Sequence, residues 1–207
     1  STRLCIWIKS TAKTTTLLGR ILGLLRQGVP PHRIMLTTFS RDATDEMMTR
    51  LAMWVGAEVR LMAGTIDGLS RRLLRDNDPD AFEACQDVGE YKHRFLHFLQ
   101  HSGRPERVYV LDSIDYLLVD EYQDINETYY GIIAAFAAHG TRVTAVGDDA
   151  QNIYSWNGAD IQYILEFGFD APASARPPLA SPTYYLTQNF RSTPEIIRLA
   201  NQSIARN

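Results

Sequence analysis

At 207 residues, with 45% apolar content and a net charge of −3, the chain suits one large domain or a domain with an insertion. The mixed charge and the lack of a basic tract exclude a binder that holds nucleic acid by phosphate contacts alone, so any such contact must be local and lean on stacking. Cys5 and Cys85 stand isolated, with no zinc-type spacing, and no segment has the length of a membrane span or the pattern of a signal peptide; the expectation is a reduced, intracellular (cytoplasmic) protein without a membrane partner.

In chain order, residues 4–8 read as a short apolar strand and 14–25 as a helix, with Leu17, Leu18, Ile21, Leu22 and Leu25 at helical spacing. Gly28, Pro30 and Pro31 break that helix. Residues 33–37 read as a second strand. A helix follows over 43–55, with Met47, Leu51 and Trp54 on one face, and Trp54 is expected in the core. A third strand is expected over 59–63 and a third helix over 65–75. The segment 76–107 is rich in charges and aromatics and reads as one or two short helices inserted into the strand order. There His93, His97 and His101 recur every fourth residue on one face; without a carboxylate or Cys at ligand spacing they read as a solvated face backed by aromatics. Then come a strand over 116–120, a helix over 126–138, a strand over 142–146, an Ala/Pro/Ser-rich loop over 171–182, a strand over 184–187 and a helix over 194–205. This alternation predicts an α/β fold with a parallel sheet flanked by helices. The division expected is a main lobe of residues 1–75 and 108–207, with 76–107 as a short helical insertion.

Asp120-Glu121 and Gln123-Asp124 end the apolar run Tyr116-Leu117-Leu118-Val119. Carboxylates at the C-terminal end of a buried parallel strand lie where open α/β sheets bind ligands. One can hold a magnesium ion while its neighbour accepts a proton from an attacking water, as a nucleoside triphosphatase requires.

Between the first strand and first helix lies Ile8-Lys9-Ser10-Thr11-Ala12-Lys13-Thr14, where a phosphate loop belongs. Lys13 and Thr14 match the end of the G-x-x-x-x-G-K-[ST] pattern, placing Lys13 on the β/γ-phosphates and Thr14 on magnesium, with Ser10, Thr11 and Ala12 in the loop. Ile8 and Ala12 fill both glycine positions, where bulk opposes close backbone approach. Two readings stay open: a degenerate site, or a loop imperfectly represented in this sequence.

Further motifs follow in order: Thr38-Phe39-Ser40-Arg41-Asp42-Ala43, then Gly64-Thr65-Ile66-Asp67-Gly68-Leu69, then Asp120-Glu121-Tyr122-Gln123-Asp124. After them come the block from Val146 through Gln151, Tyr154 and Trp156 to Asp160, and finally Leu186-Thr187-Gln188-Asn189-Phe190-Arg191-Ser192. This set resembles the UvrD/Rep family of superfamily 1 DNA helicases over nearly the whole chain outside the insertion. The resemblance implies the first RecA-like, P-loop NTPase lobe of a motor whose second RecA-like lobe, its partner, is absent from this sequence. It implies ATP and Mg²⁺ as cofactors, Asp120 as the magnesium-holding carboxylate and Glu121 as the base. It also implies Gln151 as a γ-phosphate sensor, Arg191 as the arginine on transition-state charge and Phe190 against the adenine. Single-stranded DNA is the implied partner, with Phe39, Tyr154 and Trp156 stacking on bases and Thr38, Arg41 and Thr65 on the backbone; Ser40 and Ser70 could add hydroxyl contacts.

Asn157, Asp67 and Asp42 depart from the family pattern, and each lowers positive charge along the implied DNA track. The function expected is the N-terminal ATPase lobe of an ATP-dependent DNA helicase or translocase, 3′-to-5′ by family analogy, with little activity on its own. The alternative is a pseudo-ATPase lobe acting as a DNA- or protein-binding module, and a weaker third reading is a subunit of a helicase–nuclease complex.

Overall fold

A computed structural model describes residues 4–8, 13–148, 151, 158–160, 162–165, 183–186, 193–196, 198 and 202. Six parallel strands form one sheet in the order β3-β2-β4-β5-β1-β6: β1 (Leu4–Ile8), β2 (Ile34–Thr38), β3 (Met62–Thr65), β4 (Tyr116–Val119), β5 (Arg142–Gly147) and β6 (Thr183–Leu186). This is the parallel, helix-flanked sheet expected of a RecA-like lobe.

The central strands are apolar on both faces because both faces are covered. Ile34, Leu36, Tyr116, Leu118 and Val146 face one layer, made by α1 (Lys13–Arg26) and α2 (Arg41–Val55) through Leu17, Leu18, Ile21, Leu24, Met47 and Leu51. Met35, Leu117, Val119, Val143 and Ala145 alternate with them and face the other layer. That layer is built by α3 (Ile66–Asn77), α5 (Glu90–His101), α6 (Pro105–Asp112) and α7 (Glu127–Ala138), with the short α4 (Pro79–Glu83) packed beside it. Order and handedness explain the split. Connections β1–β2 and β2–β3 run toward one edge, whereas β3–β4 and β4–β5 run toward the other, and right-handed crossovers put their helices on opposite faces.

Three expectations are corrected. The third strand lies at Met62–Thr65 rather than 59–63. Its ladder pairs Met35 with Met62 and Thr38 with Thr65, which brings the Thr65 end level with the end of β2, and the Thr65 side chain then caps α3 by accepting from the Gly68 N–H. Trp54 is 43% exposed. It occupies the last turn of α2, ahead of the left-handed Gly56, and its ring lies beside the Arg50 guanidinium instead of the core. The segment 76–107 carries more helix than expected, with α6 running on to Asp112, and Phe95, Phe98, Leu99, Val110 and Leu111 join the main core. His93, His97 and His101 sit on the solvent face of α5, with the rings of His97 and His101 stacked. The expected last helix over 194–205 falls largely outside the described residues.

Candidate functional site

The C-terminal ends of β2, β3 and β4 surround a cavity of about 150 Å³. Thr37, Thr38 and Phe39 line it from β2, Thr65 and Asp67 from β3–α3, and Asp120, Glu121 and Asp124 from the turn after β4, with Tyr129 of α7 closing the side. The acidic motif and the motifs that end β2 and β3, far apart in sequence, therefore line one cavity.

The turn after β4 is built on an unusual backbone. Glu121 has φ 49° and ψ 49°, the sole non-glycine positive φ among the described residues. That left-handed conformation costs a residue with a Cβ about 1 kcal/mol or more. It is held by Asp120 N–H donating to Thr37 O at 2.9 Å and by Glu121 N–H donating to Asp120 Oδ1 at 3.0 Å. The Glu121 carboxylate then meets the first turn of α1, where Lys13 Nζ donates to Glu121 Oε2 in a direct ion pair. Lys13 is 7% exposed. Thr14 sits half-buried in the same turn.

A second donor reaches the same oxygen: Gln123 Nε2 lies 2.7 Å from Glu121 Oε2. The other end of that amide, Gln123 Oε1, accepts from the Asp148 backbone N–H at 2.9 Å, just past β5. Asp148 Oδ2 in turn accepts from Gln151 Nε2 at 2.6 Å. One polar chain therefore runs from α1 through the acidic turn to Gln151.

Electrostatics mark the same place. Burial, then the neighbouring Glu121 charge, pushes the Asp120 carboxyl up to about 6 against the pull of Lys13. Asp124 is likewise pushed up to about 6 by burial and by Glu121. Asp124 Oδ1 is buried without a hydrogen-bond partner.

On the far side of the cavity Tyr129 donates to Asp67 Oδ2 at 2.7 Å, and Lys92 Nζ of α5 lies 3.6 Å from Asp67 Oδ1. Burial and Asp67 push the Tyr129 phenol far up. The half-exposed Asp67 carboxylate therefore has both a phenol and an ammonium beside it.

Of the residues expected to contact DNA, Phe39 is 43% exposed at the mouth of the cavity, and Arg41 is exposed in the first turn of α2. Thr38 is buried; its hydroxyl lies 2.6 Å from Thr44 Oγ1 and donates to Ser40 O at 2.8 Å. It holds the start of α2 beneath Phe39. Ser70 is 1% exposed within α3, which corrects the expectation that its hydroxyl could contact phosphates. Ser10, Thr11, Ala12, Tyr154, Trp156, Asn157, Phe190 and Arg191 lie outside the described residues.

The sequence motifs include Gln123 and Asp148 without giving either a role, and they do not reach Tyr129 or Lys92. A polar residue two places after Glu121 was the available signal for Gln123. Tyr129 lies 62 positions from Asp67, and no local pattern links them.

The family model for the UvrD/REP helicase N-terminal domain matches residues 10–104 and 81–172. The chain is also 40% identical over 99 residues to the ATP-dependent DNA helicase PcrA of Staphylococcus aureus strain Mu50 and to that of Staphylococcus epidermidis strain RP62A. These alignments cover 48% of the chain and 13% of each relative, so the chain spans a small part of their length. With the matched segments running through both helical layers and the acidic turn, the chain belongs to the UvrD/REP helicase N-terminal domain family.

Proposed function

We propose that this chain is the ATP-binding motor lobe of a DNA helicase or translocase, moving 3′-to-5′ along single-stranded DNA once a second RecA-like lobe completes the site. The observation that carries the reading is the meeting of Lys13 with Glu121, next to Asp120, at the C-terminal edge of the sheet. Lys13 arrives from the first turn of α1 and the two carboxylates from the turn after β4, and the matched relatives are named as ATP-dependent DNA helicases.

The donor set fits Mg²⁺ and ATP. Asp120 is a partly buried carboxyl pushed up to about 6, which a divalent cation beside it would hold ionised. When bound, magnesium neutralises charge on the transferred phosphoryl group. Lys13 stands in the first turn of α1, where unpaired N–H groups also favour phosphate oxygens. Thr14 offers a hydroxyl from the same turn. As the phosphates take Lys13, Glu121 is released from its ion pair and accepts the proton of the attacking water. Gln151, already tied to Asp148, reports on the γ-phosphate. Phe39 offers its ring to bases, with Arg41 beside it for phosphates. Arg191, Phe190, Tyr154 and Trp156 keep the roles that the family motifs give them.

The reading is tested by titrating a fluorescent ATP analogue with Mg²⁺ into the full chain and into K13A and E121Q. Wild type is expected to bind, K13A to lose binding, and E121Q to bind without turnover. A wild type that neither binds nor turns over ATP would overturn it. A second reading, a pseudo-ATPase lobe that only binds DNA or protein, is favoured by Ile8 and Ala12 at the two glycine positions of the phosphate loop.

A further inference from the structure

The geometry points to Gln123 as the positioning residue for Glu121, which dedicates one carboxylate oxygen to the protein and the other to the attacking water. The inference rests on the ATPase reading above and deepens it.

Four observations carry it. Gln123 is 2% exposed, and both ends of its amide are engaged, Nε2 on Glu121 Oε2 at 2.7 Å and Oε1 on the Asp148 N–H at 2.9 Å. An amide used at both ends cannot rotate without breaking two hydrogen bonds, one buried and one partly buried. Glu121 Oε2 receives both Lys13 and Gln123, whereas among the described residues no donor reaches Oε1. The backbone at Glu121 is left-handed and caps a short 3-10 turn, its carbonyl accepting from the Asp124 N–H at 2.9 Å, so the main chain is fixed while the side chain is held by Lys13 and the amide. Finally, the space for the amide is reserved. A Cβ at Gly147 would stand 2.9 Å from Gln123 Oε1, closer than real Cβ contacts come, and a tight 3.2 Å from Gln123 N.

The consequence concerns the moment Lys13 leaves for phosphate. Glu121 then loses its ion pair, and Gln123 alone keeps Oε2 in place. Oε1 takes a proton from water; the water oxygen forms a bond to the γ-phosphorus as the bond from that phosphorus to the β–γ bridging oxygen breaks. The electron pair leaves on ADP. Because Gln123 Oε1 is anchored on the residue that also holds Gln151, the orientation of the base is tied to the end of β5.

The test uses the chain assembled with its second RecA-like lobe, with Mg²⁺, ATP and single-stranded DNA, under single-turnover conditions, which detect slow hydrolysis. Q123M removes both polar contacts at similar length; Q123E keeps an acceptor toward Asp148 and removes the donor to Glu121. Both are expected to lose at least roughly tenfold in the hydrolysis step, with affinity for the ATP analogue and for DNA within about threefold of wild type, because uniform binding is untouched. A merely structural role would instead weaken binding and lower the thermal midpoint while leaving the rate of bound ATP unchanged. If wild type hydrolyses ATP and Q123E or Q123M, whichever folds, matches its rate within twofold, the positioning role is overturned and the ATPase reading stands. If wild type shows no hydrolysis, the ATPase reading fails and the positioning role falls with it.

Discussion

Lys13 and Glu121, 108 positions apart, form a direct ion pair that joins the first turn of α1 to the turn after β4. The pair is unequal: the Lys13 side chain is 9% exposed and that of Glu121 32%. Removing the lysine leaves a carboxylate half out of water with Gln123 as its remaining donor. K13A is therefore expected to destabilise the ligand-free chain by about 1–3 kcal/mol, less than a fully buried pair would lose. Urea unfolding at neutral pH measures it; an unchanged midpoint would show that the pair contributes no net stability.

The acidic turn also sets a pH dependence. Asp120 and Asp124 are both raised from the ordinary 3.8 to about 6. Between those values the folded chain binds protons that the unfolded chain has released, so stability falls as pH rises through that window. The drop expected for the two together is about 1–3 kcal/mol, after discounting Asp124 for its solvent exposure. D124N should flatten part of the slope and be the more stable protein at pH 8, since it replaces a carboxylate whose Oδ1 has no hydrogen-bond partner. Chemical denaturation at a series of pH values without magnesium reads both effects; a slope of opposite sign would contradict the assignment.

Much of this site was legible before any coordinates because parallel strands advertise themselves. Leu117 and Leu118 are adjacent in sequence and face opposite helical layers, so a run with no polar gap announces a buried strand, and the acidic pair after it announces an edge. The third strand was less legible. Val59, Leu61 and Met62 satisfy the apolar pattern as well as residues 62–65 do, and it is the register against β2 that selects the later segment. Trp54 misled because helical spacing continues into a last turn that runs past the core. Tyr129 and Lys92 carry no local signal, since each matters through a partner far away in sequence, whereas Gln123 has a local partner in Glu121 and a distant one in Asp148.

The Tyr129–Asp67 hydrogen bond, 2.7 Å long, ties α7 to the first turn of α3 across the cavity. Y129F leaves Asp67 with Lys92 as its remaining partner at 3.6 Å. The expected cost is about 1–2 kcal/mol, from a hydrogen bond to a charged group that is partly shielded from water. D67N should cost less than Y129F, because an amide oxygen can still accept from the phenol. Equal, near-zero effects in thermal unfolding would show that the link is not formed in solution.

Phe39 presents its ring at the cavity mouth above the Thr38–Thr44 hydroxyl contact. F39A is expected to weaken single-stranded DNA binding by about 1–3 kcal/mol without a matching loss of fold stability. R41A should reduce the salt dependence of binding by about one phosphate contact, independent of sequence. Fluorescence anisotropy with a short labelled oligonucleotide at several salt concentrations separates the two. If F39A binds as wild type does, the ring does not stack on a base.

Gly147 ends β5 where the acidic turn approaches most closely. A methyl group there would lie 2.6 Å from Ile164 Cδ1 and 2.9 Å from Gln123 Oε1. The isoleucine tip can rotate away; the amide cannot, because both its ends are bonded, and the Gln123 backbone N stands behind it at 3.2 Å. G147A is therefore expected to destabilise the chain by about 1–3 kcal/mol through overpacking. Trimming the neighbour separates the two contacts. If Ile164 causes the strain, adding I164V to G147A should restore stability. If the Gln123 amide causes it, I164V should leave the G147A loss in place. Equilibrium unfolding of the two single variants and the double variant distinguishes these outcomes, and persistence of the loss in the double variant is the one expected from a rigid, doubly bonded amide.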